Sequence, residues 1–259
     1  MQLIAHRVFR DGAPIVPFGT SGAIQFDGVE LDVRVDDVGN AVIDHAPLFL
    51  LRRSRLAQIP KSLRATVSFL ATETPELDVL MLDIKSRRAA EAVARQLPEL
   101  APPFRLVFNC WHAAPVKVLR EAFRSAELHY CLVPIFADQL PRTRHRDLFL
   151  YNSFPFFFAR RRFSPAEDKV NAHAVNVRLM KPATLKLLAG VDGICVHRLF
   201  CTPELVNTAR ARGLKLSVYG LRAGRRRLAR LAPVIDYAIV RGLVRDQSDT
   251  PSNSLCVAM

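Results

Sequence analysis

Eight short apolar runs recur along the chain, and most are separated by stretches with helical periodicity. The runs are QLIAHR (2–7), GVELDVRV (28–35), DVLMLDIK (78–85), FRLVFNCW (104–111), LHYCLVPIF (128–136), VDGICVHR (191–198), LKLSVYG (214–220) and IDYAIVRG (235–242). Between them, SRRAAEAVARQLPEL (86–100) places Ala90, Val93 and Leu97 on one helical face. APVKVLREAFRSA (114–126) begins at a proline, TPELVNTARARG (202–213) opens with a cap and closes on glycine, and AGRRRLARLAP (223–233) is a short basic helix candidate. Strands alternating with helices imply parallel βα units, and a count of eight predicts a closed (β/α)8 barrel. An open doubly wound sheet is the alternative, but no GxGxxG follows any of the strands. The chain of 259 residues, half of them hydrophobic, is long enough to be one barrel domain over residues 1–259.

Two interruptions break the rhythm. DDVGNAVIDHAP (36–47) reads as a tight turn at Gly39-Asn40 and a short return strand. Residues 137–181 make an overlong connection between the fifth and sixth strands, and such connections are usually functional loops or added helical elements.

In a strand, residues two apart share a face, about 6.6 Å apart. In 28–35 this puts Val29, Leu31 and Val33 on one face and Glu30, Asp32 and Arg34 on the other. In 78–85 the apolar row is Leu80, Leu82 and Ile84, and the other row is Met81, Asp83 and Lys85. His6 falls inward on the first strand, with Arg7 at its exit. Barrel enzymes place their sites at the C-terminal strand ends, so these groups are expected to converge at one mouth. Three carboxylates meeting there repel unless a cation lies between them, and oxygen donors suit Mg²⁺ or Ca²⁺. The expected metal ligands are therefore Glu30, Asp32 and Asp83, with Arg7 and Lys85 binding phosphate. His6 and His45 are the expected acid/base pair flanking a P–O bond. A solvated strand face for Glu30 and Asp32, and a simple ion pair for Asp83 and Lys85, are the plainer readings.

These motifs resemble those of the glycerophosphodiester phosphodiesterases. The resemblance rests on IAHR (4–7), ELDV (30–33), AVIDH (41–45) and LDIK (82–85), in order, with support from TPELVNTARARGLKLSVYG (202–220). It implies a (β/α)8 barrel that hydrolyses phosphodiesters with a divalent cation, Mg²⁺ or Ca²⁺. Its metal ligands fall on Glu30, Asp32 and Asp83, the last usually a glutamate; its acid/base histidines fall on His6 and His45. Its phosphate contacts fall on Arg7 and Lys85. The chain departs from the family at Val8, where glycine is usual, and at 14–26, where a Glu-Asn-Thr triplet is missing. Ala46 follows His45 in place of aspartate, and Tyr219-Gly220-Leu221-Arg222 stands where Trp-Thr-Val-Asn is usual. These features imply a divergent member acting on a glycerophosphodiester or a lysophospholipid-like phosphodiester. The alternative is a lapsed barrel that still binds phospholipid or phosphate ligands.

The formal charge of +13 attracts anionic partners without choosing among them. Much of it lies in Arg52-Arg53, Arg160-Arg161-Arg162 and Arg225-Arg226-Arg227. FPFFFARRRF (154–163) suits either packing over the barrel or pressing into an anionic membrane surface. No recognisable nucleic-acid module accompanies it, so a small-molecule phosphodiester is the expected partner. Five cysteines, none in a CxxC pair, fit free thiols in a reducing, cytoplasmic setting. No run of about 18 apolar residues predicts a membrane span. Among other strand-end residues, Trp111 is read as either stacking on a substrate or packing, and His197 as a structural or supporting residue.

Overall fold

The computed structural model describes residues 1–6, 9–10, 13–14, 26–43, 61–132, 186, 188–198, 200–222, 228–229 and 231–241. The strands are β1 (Gln2–His6), β2 (Phe9–Arg10), β3 (Ala13–Pro14), β4 (Gly28–Val35), β5 (Ala41–Ile43), β6 (Lys61–Ser62), β7 (Val79–Ile84), β8 (Arg105–Cys110), β9 (Glu127–Leu132), β10 (Gly193–His197), β11 (Lys215–Arg222) and β12 (Tyr237–Arg241). Among the described residues the helices are α1 (Leu63–Glu73), α2 (Arg87–Leu100), α3 (Ala113–Ala122) and α4 (Pro203–Ala211). Eight strands pair in parallel in the order β1-β4-β7-β8-β9-β10-β11-β12, and β12 returns to β1. The ring is closed, as the count of apolar runs predicts.

The alternating rows separate into two cores. The outward rows, including Leu31, Val33, Leu80, Leu82, Phe108, Leu128, Ile194 and Val218, belong to a large cluster shared with the helices. The helices contribute Val67, Leu70, Val93, Leu97, Leu119 and Leu205 to it. The inward rows make a smaller second cluster of Ile4, Val79, Met81, Val107, Trp111, Cys131, Cys195, Tyr237 and Ile239. The barrel is thus a packed core and not a pore.

Side-chain caps fix where three helices begin. Ser62 Oγ accepts from Ala65 N at 3.0 Å, Ser86 Oγ from Ala89 N at 3.1 Å, and Thr202 Oγ1 from Leu205 N at 3.3 Å. Each such cap is worth about 1 kcal/mol. The last two are the starts expected from sequence, whereas α1 is a helix the periodicity reading missed. The basic candidate at 223–233 lies largely outside the described residues.

The expected hairpin forms after β4. β5 pairs antiparallel with its end, Val35 opposite Ala41 and Val33 opposite Ile43. β1 accompanies β4 only from Gly28 to Glu30, so β5 takes over the edge that β1 leaves. In the turn Asp36 Oδ1 accepts from Asn40 N at 2.7 Å and Val38 N at 3.1 Å. Gly39 alone carries the left-handed conformation there, with φ +91°.

A polar network closes the N-terminal end of the barrel. Arg105 Nη1 donates to Glu127 Oε1 and to Tyr237 Oη, both at 2.7 Å; Tyr237 Oη in turn donates to Glu127 Oε2 at 2.7 Å, and Lys215 Nζ donates to Glu127 Oε1 at 2.7 Å. Burial opposes the Glu127 carboxylate, but the facing His129 ring, with Nε2 at 3.5 Å, and the bonds from Lys215 and Tyr237 outweigh it and hold the group well below the usual carboxylate range. Above this floor, fully buried His129 pairs through Nδ1 with Ser217 Oγ at 2.7 Å. Cys110, Cys131 and Cys195 are buried free thiols, as expected. Among the described residues no helix is long and apolar enough to cross a membrane.

Candidate metal centre

The register of the sheet decides which inward residues meet. His6 on β1 lies opposite Glu30 on β4, and Asp32 on β4 lies opposite Asp83 on β7. All four belong to the inward rows; His6 ends β1 and Asp83 lies one residue from the end of β7, while Glu30 and Asp32 sit mid-strand on β4, which runs on past them into the hairpin with β5. One carboxylate oxygen from each of Glu30, Asp32 and Asp83 lies within 4.8 Å of the others. The three are only 4–7% exposed, so the solvated-face reading of Glu30 and Asp32 does not hold.

Each acid has a polar partner. Glu30 Oε2 pairs with His6 Nδ1. Lys85, one residue past β7, places Nζ 2.6 Å from Asp32 Oδ1 and also on Asp83 Oδ2. Its ion pair is therefore not confined to Asp83: it bridges two strands. Trp111, one residue past β8, donates its indole N–H to Asp83 Oδ1. Burial works against the Lys85 ammonium, but Asp32 and Asp83 outweigh it and raise its pKa above the ordinary lysine value. Burial pushes the Asp83 carboxyl up to about 7; Lys85 opposes this, and the neighbouring charges of Asp32 and Glu30 add to it.

With all three carboxyls ionised and the His6 imidazole neutral, three carboxylates face one ammonium, an excess of two negative charges. That excess is what a divalent cation offsets, and an all-oxygen donor set suits a hard one such as Mg²⁺ or Ca²⁺. A cation in contact with Asp83 would hold its carboxyl ionised, against the burial that lifts its pKa. The donor set and its charge thus fit a divalent cation.

An aromatic wall continues from Trp111 across the mouth. The Trp111 and Tyr219 ring centroids are 6.3 Å apart, Tyr219 and His197 are 5.2 Å apart, and His197 and Phe200 are 6.0 Å apart. Gly220, at φ +76°, lies so close beneath the imidazole that a Cβ there would come within 2.5 Å of His197 Nε2. Burial, with Arg198 adding to it, lowers the His197 pKa to about 4, so the ring is neutral at neutral pH. Cys110 faces the outer core, and burial pushes its thiol well above the usual range, which removes it as a nucleophile.

Of the residues expected from sequence, the structure brings together His6, Glu30, Asp32, Asp83 and Lys85. Arg7 and His45 lie outside the described residues, as do the three arginine clusters and the segment 137–181. The hydrogen bond from Trp111 to Asp83 is the feature sequence reasoning missed. The inward row of β8, read onward through Val107 and Asn109, ends on Trp111 beside the strand that carries Asp83. Alternation thus contained the position but not the direction of the N–H.

No protein-family model matches the chain, and no curated protein matches it in sequence. Solved structures do. A phosphodiesterase from Oleispira antarctica, in complex with the product sn-glycerol-3-phosphate, superposes with a TM-score of 0.56 at 14% identity, covering 93% of this chain and 92% of that one. A glycerophosphodiester phosphodiesterase from Parabacteroides distasonis superposes with a TM-score of 0.54 at 14% identity, covering 92% of each chain. At this level of identity the likeness establishes architecture: the chain has the (β/α)8 barrel fold of these two phosphodiesterases, over nearly its whole length.

Proposed function

We propose that this protein is a cation-dependent phosphodiesterase acting on glycerophosphodiesters or lysophospholipid-like phosphodiesters. The observation that carries the reading is the convergence of Glu30, Asp32 and Asp83 at the barrel mouth beside His6 and Lys85. The product-bound phosphodiesterase from Oleispira antarctica, with the same fold, supports the substrate class.

In this reading Glu30, Asp32 and Asp83 hold the cation, which when bound neutralises charge on the phosphoryl oxygens. Glu30 also holds His6 through Nδ1, which fixes the ring plane, and the imidazole is the group that accepts the proton of the attacking hydroxyl. His45 gives a proton to the departing alcohol oxygen. With water as the attacking group the products are an alcohol and a phosphomonoester; with a substrate hydroxyl they are an alcohol and a cyclic phosphodiester, which water then opens to the phosphomonoester. Lys85 and Arg7 supply positive charge to the phosphate. Because Lys85 is already committed to Asp32 and Asp83, it acts by sharing its donors and not as an independent clamp.

The same bridging favours a second reading, in which the lysine replaces the cation and the barrel only binds phosphate ligands. The test is hydrolysis of a glycerophosphodiester and lysophospholipid panel by purified protein in Mg²⁺ or Ca²⁺. The expected result is alcohol release that a chelator abolishes and that falls roughly 10²–10⁴-fold in His6→Ala and His45→Ala. Wild type as inert as both variants, with glycerol 3-phosphate still bound, refutes hydrolysis and selects the binding reading.

A further inference from the structure

Trp111 is the one tryptophan in the chain, it is buried, and it points into the barrel mouth. Three of its contacts bear on the acidic cluster or its wall. Its Nε1–H donates to Asp83 Oδ1, Lys85 Nζ lies 5.0 Å from the ring centroid, and its edge continues into Tyr219. Asp83 Oδ2 is taken by Lys85. Both oxygens of this carboxylate are thus pinned, one from the end of β8 and one from the end of its own strand. An indole offers a single donor on a rigid ring, so the bond fixes a direction as well as a distance. Each carboxylate oxygen keeps a second lone pair, so the indole bond orients Asp83 without using up its capacity to bind an ion. Packing alone needs only the ring; the N–H aimed at a ligand oxygen is a separate feature.

We infer that Trp111 is a positioning residue of the cation site: its indole N–H holds the Asp83 carboxylate in the orientation in which it meets Glu30 and Asp32, while its face supports Lys85. The inference rests on the reading of the three acids as a cation site. Cation affinity then depends on a residue that does not touch the ion, as outer partners of metal ligands commonly do. It also makes the protein's own fluorescence a reporter of the site, since no other indole contributes.

The test uses the full chain and Ca²⁺ or Mg²⁺ alone, followed by calorimetry and by tryptophan emission. The cation is expected to change the emission of wild type and not of Asp83→Asn. Trp111→Phe keeps the ring and removes the donor; it is expected to weaken cation affinity by about 10–100-fold while leaving the circular dichroism spectrum unchanged. If wild type binds the ion, Asp83→Asn loses it and Trp111→Phe binds as wild type does, this inference fails and the acidic site stands. If wild type binds no cation, or Asp83→Asn binds as wild type does, both fall. Should Trp111→Phe not fold, the emission titration still decides: no change in wild type at saturating cation overturns the inference.

Discussion

In the proposed cation site, Asp83 is the group for which a proton and a cation compete. Its carboxyl is pushed up to about 7 by burial, against the pull of Lys85. In the cation-free protein the sign follows directly: a folded-state pKa above the ordinary 3.8 means stability present at low pH is lost as pH rises through about 7. A bound cation reverses the preference, because it needs the ionised form. Cation affinity is therefore expected to climb by up to about tenfold per pH unit from pH ~5 towards 7 and then level, as one proton is displaced per ion. Calorimetry of Ca²⁺ binding across that range checks it; a flat profile contradicts the assignment of Asp83 as a ligand. At this scale much of the site was legible. Strand alternation alone put His6, Glu30, Asp32, Asp83 and Lys85 on inward rows, because the face of a strand residue depends only on its parity. The partner of Lys85 was only half legible, since its bond to Asp32 depends on how β4 and β7 align. The N–H of Trp111 was not legible, because its direction is set by a side-chain rotamer.

β4 carries two of the three acids, so its seating on β7 sets the geometry of the site. That seating uses Gly28, where an added Cβ would lie 2.4 Å from the carbonyl oxygen of Val79 and 2.6 Å from its Cβ. Gly28→Ala forces the strands apart at the register Gly28–Val79. The expected loss is about 1–3 kcal/mol from overpacking, with weaker cation binding because Glu30 and Asp32 move relative to Asp83. Urea unfolding and calorimetry measure both, and a variant as stable and as cation-competent as wild type refutes this account of the seam. The eight barrel strands, α2, α4 and the hairpin were legible because their periods or caps are clean. α1 was not: Thr66, Val67 and Thr72 give it β-branched character. Burial of Leu63, Val67 and Leu70 against the outer core secures it, a tertiary contribution that local propensity does not contain.

For the whole molecule, closure is the decisive event. β1 pairs with both β4 and β12, and only this ring brings the ends of β1, β4, β7 and β8 to one mouth. The number of strands was legible, whereas closure itself had to be inferred from that number, because no local pattern records which strand is the neighbour of the first. The same closure separates the two ends of the barrel chemically: a self-paired network around Glu127 at the floor, and at the mouth an acidic trio with more negative charge than Lys85 offsets. This excess is what marks the mouth as the proposed cation site. The most direct measurement is a crystal soaked in Mn²⁺, examined by anomalous scattering. The expected result is a single strong peak in contact with oxygens of Glu30, Asp32 and Asp83; a mouth with no peak, and Lys85 still bridging Asp32 and Asp83, contradicts the proposed cation site.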